Sequence, residues 1–297
     1  MVSKTTKGYL FAVLSAVIYG SMPLMSKYIY ADGVNPFTLV FLRNFFSLIP
    51  LGVLAYKETK TLKIPLKTLP SISLISILGC SITPMLLFTS YQFIPSGTAT
   101  VFHFAYPAVV LVAGILFLKN KVQFINIVCV LLCVFGIGLF YTPQQSLNLV
   151  GSVLALSSAV TFAGYVLLLS RFDNRKASGF LFCFYIAIVS SIVSFVICLV
   201  TKNLSLPSTI LGWGLCVFFS LLVTTGAVVL FQQSTFLIGG EKASILSTLE
   251  PITSVIIGAI IFKEPIGLRV LLGTALVVSA SILIVLPGKK KAKGLTD

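Results

Sequence analysis

Apolar residues arrive along this chain in blocks separated by short stretches that hold most of its lysines and arginines. A helix rises about 1.5 Å per residue and a hydrocarbon core is about 30 Å thick, so about 20 apolar residues cross it once. Reading the blocks between charge and turn signals predicts ten such helices. They fall near residues 8–30, 35–56, 69–92, 95–118, 121–141, 148–171, 179–201, 208–237, 240–262 and 265–286. The first begins behind Lys4 and Lys7 like a signal peptide. It runs on past Tyr19 to about Tyr30 without a small-residue cleavage site, so it reads as a span.

Composition agrees with the pattern. Of 297 residues, 57% are apolar and 9% charged, and the mean hydropathy is +1.08. A soluble domain carries about 25% charge, so this chain cannot cover its surface with polar groups. The expected fold is an all-α integral membrane protein with lipid as its main partner. The net charge of +14 would suit a nucleic-acid partner if it were clustered, but its placement says otherwise. Sixteen of the 21 Lys and Arg residues lie at one set of helix ends. Only Lys27, Lys202, Lys263 and Arg269 lie at the other, and Arg43 stands inside a span. Excess basic charge marks the cytoplasmic side, which predicts ten spans with both termini cytoplasmic in the plasma (inner) membrane, and no nucleic acid. The six cysteines fall inside apolar blocks with no C-x-x-C pair, so neither a redox nor a metal role is expected.

An offset of 143 aligns Gly8, Ala12, Ser15 and Ala16 with Gly151, Ala155, Ser158 and Ala159, and Phe37, Phe41 and Ser47 with Phe180, Phe184 and Ser190. One further residue of offset aligns Ala99, Pro107, Gly114 and Lys119 with Ala243, Pro251, Gly258 and Lys263. Residues 1–143 and 144–288 thus read as two five-helix repeats, followed by a basic tail at 289–297. Five is odd, so the second repeat would cross the membrane upside down, a recurring transporter architecture. The small-residue stripes lie on one helix face and let backbones approach. Gly20, Pro23, Pro84, Pro107, Gly226 and Pro251 are potential breaks inside spans, tolerated where protein or a watery cavity satisfies the freed backbone.

The stretch Gly239 to Leu246, then Leu249-Glu250-Pro251, Ile261-Phe262-Lys263-Glu264-Pro265 and Gly273 resembles the second-repeat signature of the drug/metabolite transporter superfamily, specifically its EamA-type ten-helix members. Ser96-Gly97-Thr98-Ala99, Pro107, Gly114 and Gly136 echo it in the first half, which departs by having Asn120 where Glu264 stands. The resemblance covers the whole chain. It implies ten helices around a central cavity lined by the first, third, fourth, sixth, eighth and ninth, and a family whose substrates include amino acids, other metabolites and drugs.

Ionisable groups inside a span cost about 2.5–3.5 kcal/mol each and need a partner or a purpose. Arg43, His103 and Glu250 are the three. Arg43 could attract a carboxylate and Glu250 an ammonium, which suits a zwitterionic amino acid. Equally, the two could pair with each other, or Glu250 could cap a broken helix. His103 reads either as a hydrogen-bonded packing residue or as a proton carrier, which makes the proton the candidate coupling ion. Tyr19, Phe88, Tyr91, Gln92, Tyr106, Phe162, Tyr165, Gln232 and Gln233 are candidate wall groups.

The functional expectation is a secondary transporter of small amphiphilic metabolites, first of all an amino-acid exporter working by alternating access. A lipophilic-cation or multidrug exporter and a gated channel are the alternatives. No convergent acid, base and nucleophile set, no H-E-x-x-H and no P-loop are present, so neither an enzyme nor direct use of ATP is expected, and no cofactor.

Overall fold

The computed structural model describes residues 4–118, 124–140, 148–170, 172, 179–238, 246–264 and 266–285. Among these the chain is helical between its turns, with no strand. Seven stretches, from Lys4–Ala31 to Ile210–Phe231, are long and apolar enough to cross a membrane, and three shorter apolar helices, Ile127–Gly138, Leu249–Phe262 and Leu268–Leu283, complete ten rods. The basic tail at 289–297, and Lys119, Asn120 and Lys121, lie outside the described residues.

The rods interleave. The second packs along the seventh, the fifth along the tenth, the first along the eighth, the third along the sixth and the fourth against the ninth. Each extensive contact therefore joins one half of the chain to the other, and neither half has a separate core. The small stripes explain two of these pairings. Gly8, Ala12, Ser15 and Ala16 are buried, and Ser15 Oγ donates to the Ala227 carbonyl at 2.8 Å. Gly151, Ala155, Ser158 and Ala159 are likewise buried. Large apolar side chains such as Ile49, Phe124, Val200 and Ile210 point outward, as a rod bathed in lipid requires.

Five rods are irregular near their middles. The first is α1 (Lys4–Gly20) and α2 (Met22–Ala31), interrupted at Ser21. The second is one helix, α3 (Pro36–Thr59). The third runs through α4 (Leu69–Ser76), a π-helical segment Ile77–Ile82, and α5 (Thr83–Ser90). The fourth is α6 (Ser96–His103) and α7 (Tyr106–Leu118), parted by a turn at Phe104–Ala105. The fifth, sixth and seventh are α8 (Phe124–Gly138), α9 (Leu149–Ser170) and α10 (Gly179–Val200). The eighth holds α11 (Ile210–Phe219), a second π-helical segment Ser220–Ala227, and α12 (Val228–Ile238). The ninth restarts after a turn at Thr248 as α13 (Leu249–Phe262), and the tenth is α14 (Leu268–Val285).

Proline accounts for four of the five. It has no N–H, so the carbonyl four residues earlier loses its helical partner. Pro23, Pro84, Pro107 and Pro251 each fall in the first turn of the helix that resumes after an irregularity. The carbonyl freed by Pro84 is that of Cys80, and Ser190 Oγ on α10 donates to it at 2.8 Å. The second π-helical segment contains no proline but includes Gly226.

Candidate functional site

The irregular middles bring polar and aromatic side chains from six rods together. Tyr19, one residue before the end of α1, lies within electrostatic reach of both Arg43 on α3 and Glu250 on α13. Tyr91, at the end of α5, is also within reach of both charges. Arg43 and Glu250 do not pair with each other. The salt bridge among the described residues is Lys27 with Glu264, and no hydrogen bond to the Glu250 carboxylate forms among the described residues. Both tyrosines thus belong to the same neighbourhood as the cation and the carboxylate.

Arg43 is held by its surroundings and not by a counter-ion. Its guanidinium carbon sits 5.7 Å from the centroid of the Phe88 ring, and Cys80 lies within electrostatic reach. Its Nε is buried with no hydrogen-bond partner. Ser220 Oγ, at the start of the second π-helical segment, donates to the Arg43 carbonyl at 2.6 Å. Phe88 itself is fully buried and meets Phe219 edge-on at 6.1 Å, so it forms the wall behind Arg43. The Tyr91 hydroxyl is also buried and has no partner at ordinary hydrogen-bond distance.

Glu250 occupies the first turn of α13, where the helix dipole favours negative charge. Across from it Tyr106 begins α7, within electrostatic reach of the carboxylate. Tyr106 meets the Phe162 ring edge-on at 4.7 Å, and Phe162 lies 5.2 Å from Tyr165. His103 is wedged among these rings, 5.9 Å from Tyr106 and 5.1 Å from Phe162. Its Nδ1 is 2.9 Å from Ser158 Oγ, while that hydroxyl donates to the Ala155 carbonyl at 2.6 Å. A serine whose proton is committed to a carbonyl can only accept from the ring, so Nδ1 carries a hydrogen.

Tyr19, Arg43, Tyr106, Phe162, Tyr165 and Glu250 each keep partial solvent access while facing one another. A surface groove of about 600 Å³ lined by Leu48, Gly52, Tyr56, Lys57 and Phe184 lies elsewhere, along the outer face of α3. Nine of the twelve residues singled out from the sequence thus form one constellation. Of the other three, Gln232 has its side chain outside the described part of the molecule and Gln233 is half-buried on α12. Gln92 is exposed in the turn after α5 and does not face the site. Sequence reasoning missed the serine that orients His103 and the contact of Cys80 with Asn44, next to Arg43. Only Ser158 left a signal, as a polar member of a small-residue stripe. No group of His, Cys, Asp and Glu among the described residues could hold a metal ion.

Comparison with known proteins agrees with this geometry. The EamA-like transporter family model matches residues 6–142 and again 149–286. The chain is 24% identical to an uncharacterized transporter of Clostridium kluyveri over 96% of this chain and 94% of that one. It is 25% identical to the uncharacterized inner membrane transporter YicL of Salmonella typhimurium, over 97% and 98% respectively. A solved crystal structure superimposes with a TM-score of 0.62 over 93% of this chain and 95% of that one, at 14% identity, a likeness of fold.

Proposed function

The chain belongs to the EamA-like transporter family, a family of ten-helix, multi-pass membrane transporters, and from that premise we propose that it moves a small zwitterion, an amino acid or close relative, out of the cell. The observation that carries this reading is the unpaired state of Arg43 and Glu250. A half-buried cation and a half-buried carboxylate with no ionic partner each carry part of a desolvation cost that a ligand bearing both charges would offset in one step. Arg43 offers forked N–H donors to a carboxylate, and Glu250 accepts an ammonium. Tyr19 and Tyr91 lie within reach of both charges, and the rings of Tyr106, Phe162 and Tyr165 offer an apolar wall to the remainder of the ligand.

Alternating access supplies the movement. The two halves are read as inverted repeats, with the termini cytoplasmic and the chain in the plasma membrane. Helix breaks and π-helical segments flanking a mid-membrane site are the usual joints of such transporters. Proton coupling would run through Glu250. The aromatic surround of Glu250 favours a second reading, an exporter of organic cations, because ring faces attract cations beside a carboxylate.

Thermal stabilisation of the purified protein separates the two, since a ligand that prefers the folded state raises its midpoint. An amino acid should stabilise, while its amide, lacking the carboxylate, and its deaminated acid, lacking the ammonium, should not. Stabilisation by quaternary ammonium ions with none by any amino acid would replace the first reading with the second. In vesicles, Glu250→Gln should abolish the dependence of transport on a pH gradient, and unchanged dependence would remove Glu250 from coupling.

A further inference from the structure

At the end of the bundle opposite the N-terminus, Lys27 Nζ of α2 lies 2.8 Å from Glu264 Oε1. That oxygen also accepts from the Ser96 backbone N–H at 3.1 Å and from Ser96 Oγ at 3.0 Å, at the first residue of α6. The ammonium sits 3.9 Å from the centroid of the Phe262 ring. Lys263 adopts a left-handed conformation with φ 54°, which turns the chain back so that Glu264 N bonds the Gly258 carbonyl at 3.1 Å. Glu264 Oε2 occupies the space that a Cβ at residue 258 would need. One carboxylate thereby ties the first, fourth and ninth rods.

Behind this cluster the fourth and ninth rods pack closely. All eight residues of α6 are buried, a Cβ at Gly97 would lie 2.9 Å from the Val255 Cα, and Thr100 Oγ1 meets Ser254 Oγ at 3.0 Å. Past the break, α7 becomes partly exposed from Val109 to Ala113. The repeat offset places Ser170, Asn120 and Gly240 opposite Lys27, Glu264 and Ser96, residues with no charge to pair.

We propose that Lys27, Glu264 and Ser96 are a latch that holds shut the end of the transport path away from the termini. This rests on the alternating-access part of the reading above and not on its substrate. Cys80 is the reporter, because it is half-buried and its carbonyl accepts from Asn44 Nδ2, the residue next to Arg43, at 3.4 Å.

The test is labelling of Cys80 by a membrane-impermeant maleimide in reconstituted full-length protein whose other five cysteines are alanine, with reagent added to each side in turn. From the side bearing residues 31–35, labelling should be slow. Lys27→Met and Glu264→Gln should each speed it about tenfold, the effect expected for loss of one charge-assisted bond. Glu264→Gln keeps an acceptor for Ser96, so the fold is retained. The double variant should be no faster than either single variant, because one interaction is lost once. Unchanged rates in both single variants, multiplying effects in the double, or acceleration only from the opposite side would overturn the latch. Labelling needs no substrate, so failure of amino-acid binding would leave this result standing, and unchanged labelling would leave the substrate reading untouched.

Discussion

The two halves of the chain share a framework and divide the chemistry. Each has a π-helical segment at the same offset, Ile77–Ile82 and Ser220–Ala227. Each anchors it by a serine on the other half's backbone: Ser76 Oγ donates to the Ile186 carbonyl at 2.8 Å and Ser220 Oγ to the Arg43 carbonyl at 2.6 Å. Residues 76 and 220, and 43 and 186, are themselves repeat equivalents. The breaks at Phe104–Ala105 and Thr248 correspond in the same way. Yet Arg43 stands opposite Ile186, Glu250 opposite Tyr106 and His103 opposite Ser247, and the first rod breaks at Ser21 where α9 runs on unbroken. The bendable parts are doubled and each charged group is placed once. A ligand with one charge of each sign needs no second arginine, and a second buried charge would add its own desolvation cost.

The most severe way to break this comparison is to make the halves alike at the arginine. Arg43→Ile should lower transport about 10- to 100-fold, the equivalent of about 1.5–3 kcal/mol for hydrogen bonds to a charged group. Folded stability should hold or rise, because a half-buried cation whose Nε has no partner is removed. Vesicle uptake read beside the thermal midpoint checks both halves of this statement. Full transport in the variant would detach Arg43 from the substrate.

Next in size is the close approach at the first break. A Cβ at Gly20 would lie 2.6 Å from Thr253 Cβ and 2.7 Å from the Glu250 carbonyl oxygen, whereas its repeat equivalent is Ala163, buried without difficulty. Gly20→Ala should therefore cost about 1–3 kcal/mol by overpacking and push α1 away from Glu250. Ala163→Gly should cost about 1 kcal/mol through helix propensity alone. Denaturant midpoints compare the two, and equal costs would mean that the halves are packed alike here.

How much of this was legible in the sequence differs by feature. Four irregular spans could be anticipated, because a proline removes an N–H wherever it stands. Whether the helix then turns, as before Pro107, or widens into π geometry, as before Pro84, depends on what takes up the freed carbonyl. For Cys80 that is Ser190, 110 residues away. Arg43 and Glu250 could be picked out because charge is costly in lipid. Whether they pair depends on the rotation of their helices, which periodicity in so uniformly apolar a chain does not fix. Lys27 and Glu264 looked like end-of-span charges, and nothing in their spacing of 237 residues announces a pair.

The serines that anchor the π-helical segments give a smaller and cleaner test. Ser76→Ala and Ser220→Ala each remove one buried hydrogen bond, worth about 1 kcal/mol net. The two sites share no partner, so their costs should add. Transport should separate what stability does not. Ser220 holds the backbone of Arg43 and its loss should weaken substrate binding, while Ser76 holds that of Ile186 and its loss should leave binding intact. Equal effects on binding would mean that the anchors serve the framework only.

The smallest effect lies at the end of the bundle that carries the latch. Asp32, in the turn after α2, caps the start of α11: its carboxylate accepts from Thr209 Oγ1 at 2.7 Å and from the backbone N–H groups of Thr209 at 3.2 Å and Ser208 at 3.0 Å. The Thr209 hydroxyl holds its pKa below the ordinary 3.8 against desolvation, the next largest influence, and the two backbone N–H groups add to the depression. A depressed pKa means that the stabilisation is complete above the unfolded value and is lost as pH falls through the folded one. Asp32→Asn should thus lower the thermal midpoint slightly at pH 7, by about 1–2 °C. The gap should narrow only below the ordinary 3.8, where wild type becomes neutral as well. The repeat offset places Arg175 opposite Asp32, a residue unable to accept from a helix N-terminus. A gap that persisted unchanged into acid would mean that the cap acts by shape and not by charge, and would remove one of the features that set this end of the molecule apart from the other.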